Sequence, residues 1–216
     1  MKFVAIADTH GRHHHVKLPP GDVLIHAGDV SFRGRKSEVE DFLDWFSKQK
    51  FAHKIFIAGN HDFFFEKEKP VQIKKILPDD VVYLEDSGIT IQDIHIWGSP
   101  ITPRFYNWAF NRARGEAIRK HWDLIPAHTD LLITHGPPKG ILDQVMNEQE
   151  VGDKDLLERI MTIKPQVHVF GHIHEAFGTN KIGGIRFINA SLLNEQYNLV
   201  NKPVLFELVA KDLNPS

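Results

Sequence analysis

The 216-residue chain has no cysteine, which excludes disulfides and thiolate metal sites and favours a cytosolic enzyme over a small secreted scaffold. It also has no apolar run near the roughly 20 residues that a membrane-crossing helix requires. The N-terminal run Lys2-Phe3-Val4-Ala5-Ile6-Ala7 meets Asp8 and His10 too soon to serve as a signal-peptide core. A cytoplasmic location with no membrane partner is therefore expected. An excess of charge is missing as well: 26 basic against 28 acidic residues leave a formal charge of −2, too balanced to draw nucleic acid or anionic lipid globally. No repeat or low-complexity linker divides the chain. Its length suits one domain over residues 1–216 with a substantial core.

Histidine, by contrast, is abundant. There are 14, and histidine is both the commonest metal ligand and a frequent proton carrier. Short apolar runs at 3–7, 23–27, 55–58, 131–134 and 167–170 read as buried strands in an α/β pattern. Ser37 and Glu40 have capping-box spacing ahead of Val39, Phe42, Leu43 and Phe46, which predicts a helix over 37–49. Asp153 precedes a second apolar helical face ended before Pro165. Residues 89–91 and 94–97 around Gln92-Asp93 suggest a hairpin, and 185–190 with 204–209 suggest further strands. The longest expected loop is 98–115, and long ordered loops are often functional.

Each of the five runs is followed at once by polar residues: Asp8 and His10, Asp29, Asn60 and His61, His135, then His172 and His174. Ligands of open α/β sheets gather at the carboxyl ends of strands, so five segments can converge on one spot. Glycines at 28, 59, 136 and 171 accompany four of them, permitting tight turns and close backbone approach. A set of Asp, Asn and His suits divalent ions of intermediate hardness, Mn²⁺, Fe²⁺ or Zn²⁺, rather than an all-oxygen calcium or magnesium cage. Seven ligands exceed one tetrahedral ion. Two ions roughly 3.5–4 Å apart, sharing a carboxylate and a hydroxide, would use them all.

Asp8-Thr9-His10, Gly28-Asp29, Gly59-Asn60-His61-Asp62, Thr134-His135-Gly136 and Gly171-His172-Ile173-His174 resemble the five ordered blocks of the calcineurin-like metallophosphoesterases. The contexts His26-Ala27-Gly28-Asp29, Asn107-Trp108-Ala109-Phe110-Asn111 and Thr134-His135-Gly136-Pro137-Pro138 resemble, more narrowly, the small metallophosphoesterase-domain branch typified by brain-expressed mammalian members. The resemblance implies a four-layer α/β fold, a two-sheet β-sandwich flanked by helices. It implies two divalent transition-metal ions, manganese first among them. Asp8, His10, Asp29 and His174 would hold one and Asp29, Asn60, His135 and His172 the other, with Asp29 bridging. His61 would contact the phosphate and protonate the departing oxygen. In the protein phosphatase branch a second aspartate, three positions after the first, orients that histidine; here the position is Phe32. Asp62 is a candidate substitute.

The expected partner is a small phosphate ester, with nucleotides among the candidates; the narrower resemblance favours a phosphodiesterase on small or cyclic nucleotides. Monoester and nucleic-acid hydrolysis are the rival activities, and a non-catalytic scaffold on the same fold is the rival class. Retention of all seven ligands and the acid histidine favours the hydrolase. Several residues stay open to two readings. Arg33 could bind a phosphate oxygen or sit in a solvated loop. Trp108 and Phe110 could be core or stack on a base, with Asn107 and Asn111 supplying amides. His26 and His168 lie within apolar runs and read as core histidines, and His13, His14 and His15 as polar loop.

Overall fold

The computed structural model describes residues 1–210; the last six positions of the expected 1–216 domain lie outside them. The first half of the chain forms β1 (Lys2–Ile6), β2 (Val23–Ala27), α1 (Lys36–Ser47), β3 (His53–Ile57), α2 (Phe63–Lys67), α3 (Pro70–Ile76) and β4 (Val81–Tyr83). There follow β5 (Ser87–Ile91), β6 (Ile94–Ser99), β7 (Thr102–Pro103), β8 (Asn111–Arg112), α4 (Glu116–Trp122) and β9 (Leu131–Thr134). The last elements are α5 (Lys154–Ile163), β10 (Val167–Phe170), β11 (Gly178–Ile182), β12 (Ile185–Asn189) and β13 (Val204–Glu207).

One sheet runs in the order β13-β1-β2-β3-β4 and the other β11-β12-β10-β9-β6-β5. The central strands are parallel within each: β1 to β4 in the first, and β6, β9, β10 and β12 in the second. Their apolar runs are continuous because both faces are covered. In β1, Phe3 and Ala5 face a cluster between the sheets with Ile25, Ile57, Leu131, Ile133 and Val169. Val4 and Ile6, one residue out of phase, belong to the outer cluster with Phe42 and Phe46 of α1 and Leu156 and Ile160 of α5. That alternation produces the four layers. Burial of each large apolar side chain contributes on the order of 1.5–3 kcal/mol.

Local signals act as chemistry requires. In the β5–β6 hairpin Ile91 pairs with Ile94, and Gln92 and Asp93 both take positive φ, as a two-residue hairpin turn demands. Asp153 caps α5 by accepting from the Leu156 N–H at 2.7 Å. The start of α1 differs from expectation: it begins at Lys36, and Glu38, not Glu40, reaches back to the N–H groups of Arg35 and Arg33. Ser37 lies inside the first turn, where its hydroxyl is no longer at the capping position. No helix among the described residues is long and apolar enough to cross a membrane.

The two sheets meet where a bridge pairs Ala7, just past β1, with Ser191, just past β12. This seam brings the carboxyl ends of both sheets' parallel strands together.

Candidate metal centre

The site is built from strained strand ends. Asp8, His10, Asp29 and His172 all adopt positive φ, between 44° and 71°, a region that costs non-glycine residues on the order of 1 kcal/mol or more and clusters at functional sites. Main-chain hydrogen bonds hold the loops there: Asp8 N–H donates to Gly28 O and His10 N–H to Asp29 O, both at 3.0 Å. The glycines allow the approach. A Cβ on Gly171 would collide with Asp8 Oδ2, one on Gly59 with Asp29 Oδ1, and one on Gly28 with His135 Nδ1.

All seven expected ligands converge on this seam. Asp8, His10 and His174 form one group of donor atoms within 4.8 Å of one another, and Asp29, His135 and His172 form another. Asp29 stands between them, its Oδ2 lying 3.6 Å from His10 Nε2 and 3.4 Å from His135 Nε2. Asn60 Oδ1 is 2.9 Å from His135 Nε2. The ring tautomers show what the site lacks. His135 donates from Nδ1 to Ala27 O and His174 from Nδ1 to Asn194 O, each at 2.9 Å, so in the neutral rings Nε2 carries only a lone pair. That lone pair of His135 faces two oxygens, and that of His174 faces His10 Nε2 at 3.3 Å and Asp8 Oδ1 at 3.7 Å. Acceptors turned toward acceptors need a cation between them, and a carbonyl on the far nitrogen is the usual support of a metal-bound histidine.

The electrostatics agree. Burial opposes charge on His135 and His174, yet Asp29 for the first and Asp8 for the second outweigh it and raise both to about 9. Burial holds His10 and His172 neutral, at about 4. Burial would raise Asp8 and Asp29, but His174 and His135 respectively pull them well below the ordinary carboxylate range. Without an ion the site collects protons; a divalent cation would supply the same positive charge. The residues therefore fit a metal.

His61 is buried beside this centre. Its N–H donates to Asp29 Oδ1, and its ring Nδ1 lies 2.8 Å from the carbonyl of Phe32. The residue standing where the protein phosphatases have aspartate thus orients the ring with its backbone. Asp62, the candidate substitute, has other work: it accepts from the N–H groups of Val30, Ser31 and Gly59 and from the Ser31 hydroxyl. Burial and the neighbouring Asp29 raise it to about 6. Trp108 stacks on the His61 ring at 4.3 Å and 26°, so one of its faces is already occupied. His61 also groups with His10 and Asp29 as a third set of donor atoms.

A cleft of about 230 Å³ covers the centre, lined among others by Asp29, Asn60, His61, Trp108 and Tyr197. Arg33, Asn107 and Asn111 are not among its lining residues. The 98–115 stretch expected as one loop instead holds the end of β6 and the paired strands β7 and β8, and Asn111 of β8 is used within it, accepting from Thr102 Oγ1 and donating to Phe105 O. Arg33 and Asn107 are exposed. Phe110 is buried. His26 and His168 are core residues, each within 2.9 Å of a threonine hydroxyl, Thr9 and Thr134. His13 is buried against Trp45, and with His14 it reaches Asp41 of α1 at 3.1 Å, tying the His13–His15 turn to that helix.

Five contributors escaped the sequence reading, one of them the Ala27 carbonyl already described at His135. Ser191 donates to Asp8 Oδ2 at 2.6 Å, Tyr197 packs on the rings of His10 and His174, and the carbonyls of Phe32 and Asn194 orient histidines. Ser191 follows β12 just as the ligands follow their strands, so the same strand-end signal would have found it; the carbonyls have no residue signature.

The model of the calcineurin-like phosphoesterase family matches residues 1–176, and the chain belongs to that family of phosphoric ester hydrolases, which typically bind divalent metals. It is 40% identical over 230 residues to Metallophosphoesterase domain-containing protein 1 of Homo sapiens, spanning 96% of this chain and 71% of that one. It is 29% identical over 167 residues to the acyl-carrier-protein phosphodiesterase PptH of Mycobacterium tuberculosis, spanning 69% and 50%. The crystal structure of that phosphopantetheinyl hydrolase superposes with a TM-score of 0.60 at 18% identity, covering 91% of this chain and 90% of that one, so the two share a fold.

Proposed function

We propose that the protein is a cytoplasmic phosphodiesterase that holds two divalent transition-metal ions, manganese first and iron or zinc as alternatives. Its substrates are small diesters, linear or cyclic nucleotides included, and His61 is the general acid. The observation that carries the metal pair is the position of Asp29, one carboxylate within reach of both ligand groups. Asp8, His10 and His174 with Asp29 would hold one ion; Asp29 with Asn60, His135 and His172 the other. Such ions, when bound, polarise phosphoryl oxygens and make water a competent nucleophile near neutral pH.

The chain's own residues supply the rest. With Nδ1 of His61 donating to Phe32 O, Nε2 is the nitrogen left for the cleft. The role requires a proton on both nitrogens: as the ester P–O bond breaks, the imidazolium hands its Nε2 proton to the departing oxygen and keeps its Nδ1 proton on Phe32 O. Trp108, stacked on the ring, keeps it from turning. A diester is favoured by charge. Among the described residues the cleft lining contains no lysine or arginine and has exposed Glu175 and Glu195. Beyond the oxygens that the two ions would hold, a monoester dianion would meet these carboxylates with no lysine or arginine to offset its extra charge; a diester carries a single charge. The phosphodiesterase named among the relatives supports the same choice.

Elemental analysis tests the metal pair. Protein saturated with Mn²⁺, Fe²⁺ or Zn²⁺ should hold two equivalents; Asp29→Ala should lose both and His10→Ala mainly one. A wild-type preparation that stays below one equivalent, or equal losses in the two variants, would sink the bridged centre. On the loaded enzyme, a nitrophenyl diester should turn over faster than the nitrophenyl monoester.

A further inference from the structure

Beside the metal cleft lies a larger chamber of about 840 Å³, and the two share Phe105, His172 and Glu175. The chamber falls within the size range of small-molecule sites. Its walls are mainly apolar, with Pro137, Val145, Val151 and Ile173 among them. Most of its cations are already neutralised. Arg114 bridges Asp153 at 3.2 Å, Lys139 pairs with Glu150 at 3.3 Å, and Lys154 pairs with Glu158 at 3.6 Å. Among the described residues only Arg104 is left to balance a highly charged ligand, whereas a bulky group with few polar atoms would bury its surface against proline, valine and isoleucine.

Position then decides which part of a substrate enters. His61 lines the cleft but not the chamber, which meets the cleft along His172 on the far ligand group. A leaving oxygen must lie beside the group that protonates it. The departing alcohol therefore belongs at His61, outside the chamber, and the other ester arm is the one with room to enter.

Resting on the assignment of His61 as general acid, we propose that the chamber binds the retained arm of an asymmetric phosphodiester, a bulky and mainly apolar alcohol up to the size of a nucleoside. Water adds through oxygen to phosphorus and gives up one proton to solvent, the P–O bond to the smaller alcohol breaks, and its oxygen takes the Nε2 proton of the doubly protonated His61 ring, which solvent then restores. The phosphate stays on the bulky arm as a monoester.

Two measurements on the metal-loaded full chain test this. Methyl, benzyl and nucleoside-5′ nitrophenyl phosphates share one leaving group and differ only in the retained arm. The specificity constant kcat/KM should rise about tenfold or more from methyl to the bulkier arms, since even one methylene in an apolar pocket is worth roughly that much. Val145→Trp, which fills the chamber, should bring the ratio back toward one. Independently of any variant, methyl benzyl phosphate, whose two arms are both alkyl esters, should yield benzyl phosphate and methanol by phosphorus NMR. Methyl phosphate as the main product, an even mixture, or a flat series of nitrophenyl esters would overturn the proposal. If none of the nitrophenyl diesters is hydrolysed, the phosphodiesterase reading fails with it; if they are hydrolysed without regard to bulk, only the chamber assignment falls.

Discussion

Replacing His61 with alanine separates a proton donor from a metal ligand, because the structure allows both. The ring lies in donor-atom range of His10 and Asp29, yet its Nδ1 is engaged by Phe32 O at 2.8 Å and its face by Trp108 at 4.3 Å. If the ring is the general acid, removing it should cost about 10²–10⁴ in kcat on an alkyl diester, or roughly 2.7–5.4 kcal/mol of barrier. On a nitrophenyl diester, whose leaving oxygen needs little protonation, the loss should stay near tenfold. Stability should fall modestly. One hydrogen bond is worth about 0.5–1.5 kcal/mol and one ring pair a similar amount, so at about 2–4 °C per kcal/mol for a chain of this size the melting temperature should drop by several degrees. Both metal equivalents should remain. The assay is therefore threefold: elemental analysis, rates on the two leaving groups, and a melting curve. Loss of one equivalent would make His61 a ligand, and equal rate losses on both esters would remove the proton-transfer role even with metals intact.

Trp108→Ala should lower kcat on nucleotide and small diesters alike, by roughly tenfold, since the ring supports His61 through a contact worth about 0.5–1.5 kcal/mol; a rise in KM confined to nucleotide diesters would instead make Trp108 a base platform. His168, fully buried and packed on Phe170 and Phe187, is pushed by burial down to about 3. Its native ring stays neutral while the unfolded chain takes up a proton below about pH 6.5, so stability is unaffected above that pH. As the pH falls from 6.5 toward 3, stability is lost at roughly 1.4 kcal/mol per unit. His168→Gln should therefore flatten the denaturation profile of chelator-treated protein between pH 6 and 4 by about one proton, and superimposable profiles would show that the native ring titrates normally.

Much of the site could be read from the chain because its grammar is local. A buried parallel strand is an uninterrupted apolar run, and the residue that leaves the strand is the first free to be polar. Asp8, Asn60 and His135 are therefore recognisable from the few residues before them. The same locality predicts Asp153 as a cap and Gln92-Asp93 as a turn. It misplaced the start of α1 by taking Ser37 and Glu40 as the box, because Glu38 fits the same spacing from Arg35 and only the path of the preceding loop selects between them.

The partners of those ligands were decided by tertiary structure alone. Ser191 reaches Asp8 across 183 positions, and His135 donates to Ala27 O across 108. Such contacts depend on which strands lie side by side at the seam, and a carbonyl oxygen leaves no mark in a sequence because every residue has one. The same reason hid the orienting partner of His61. A side-chain signal pointed to Asp62, while the fold placed the Phe32 carbonyl at the ring. The chamber, too, is shaped by loops that approach one another only after both sheets have formed. The amino-acid sequence by itself determined which atoms could bind metal, through local spacing; the packing of the two sheets determined what each atom faces, since that is a property of distance in space.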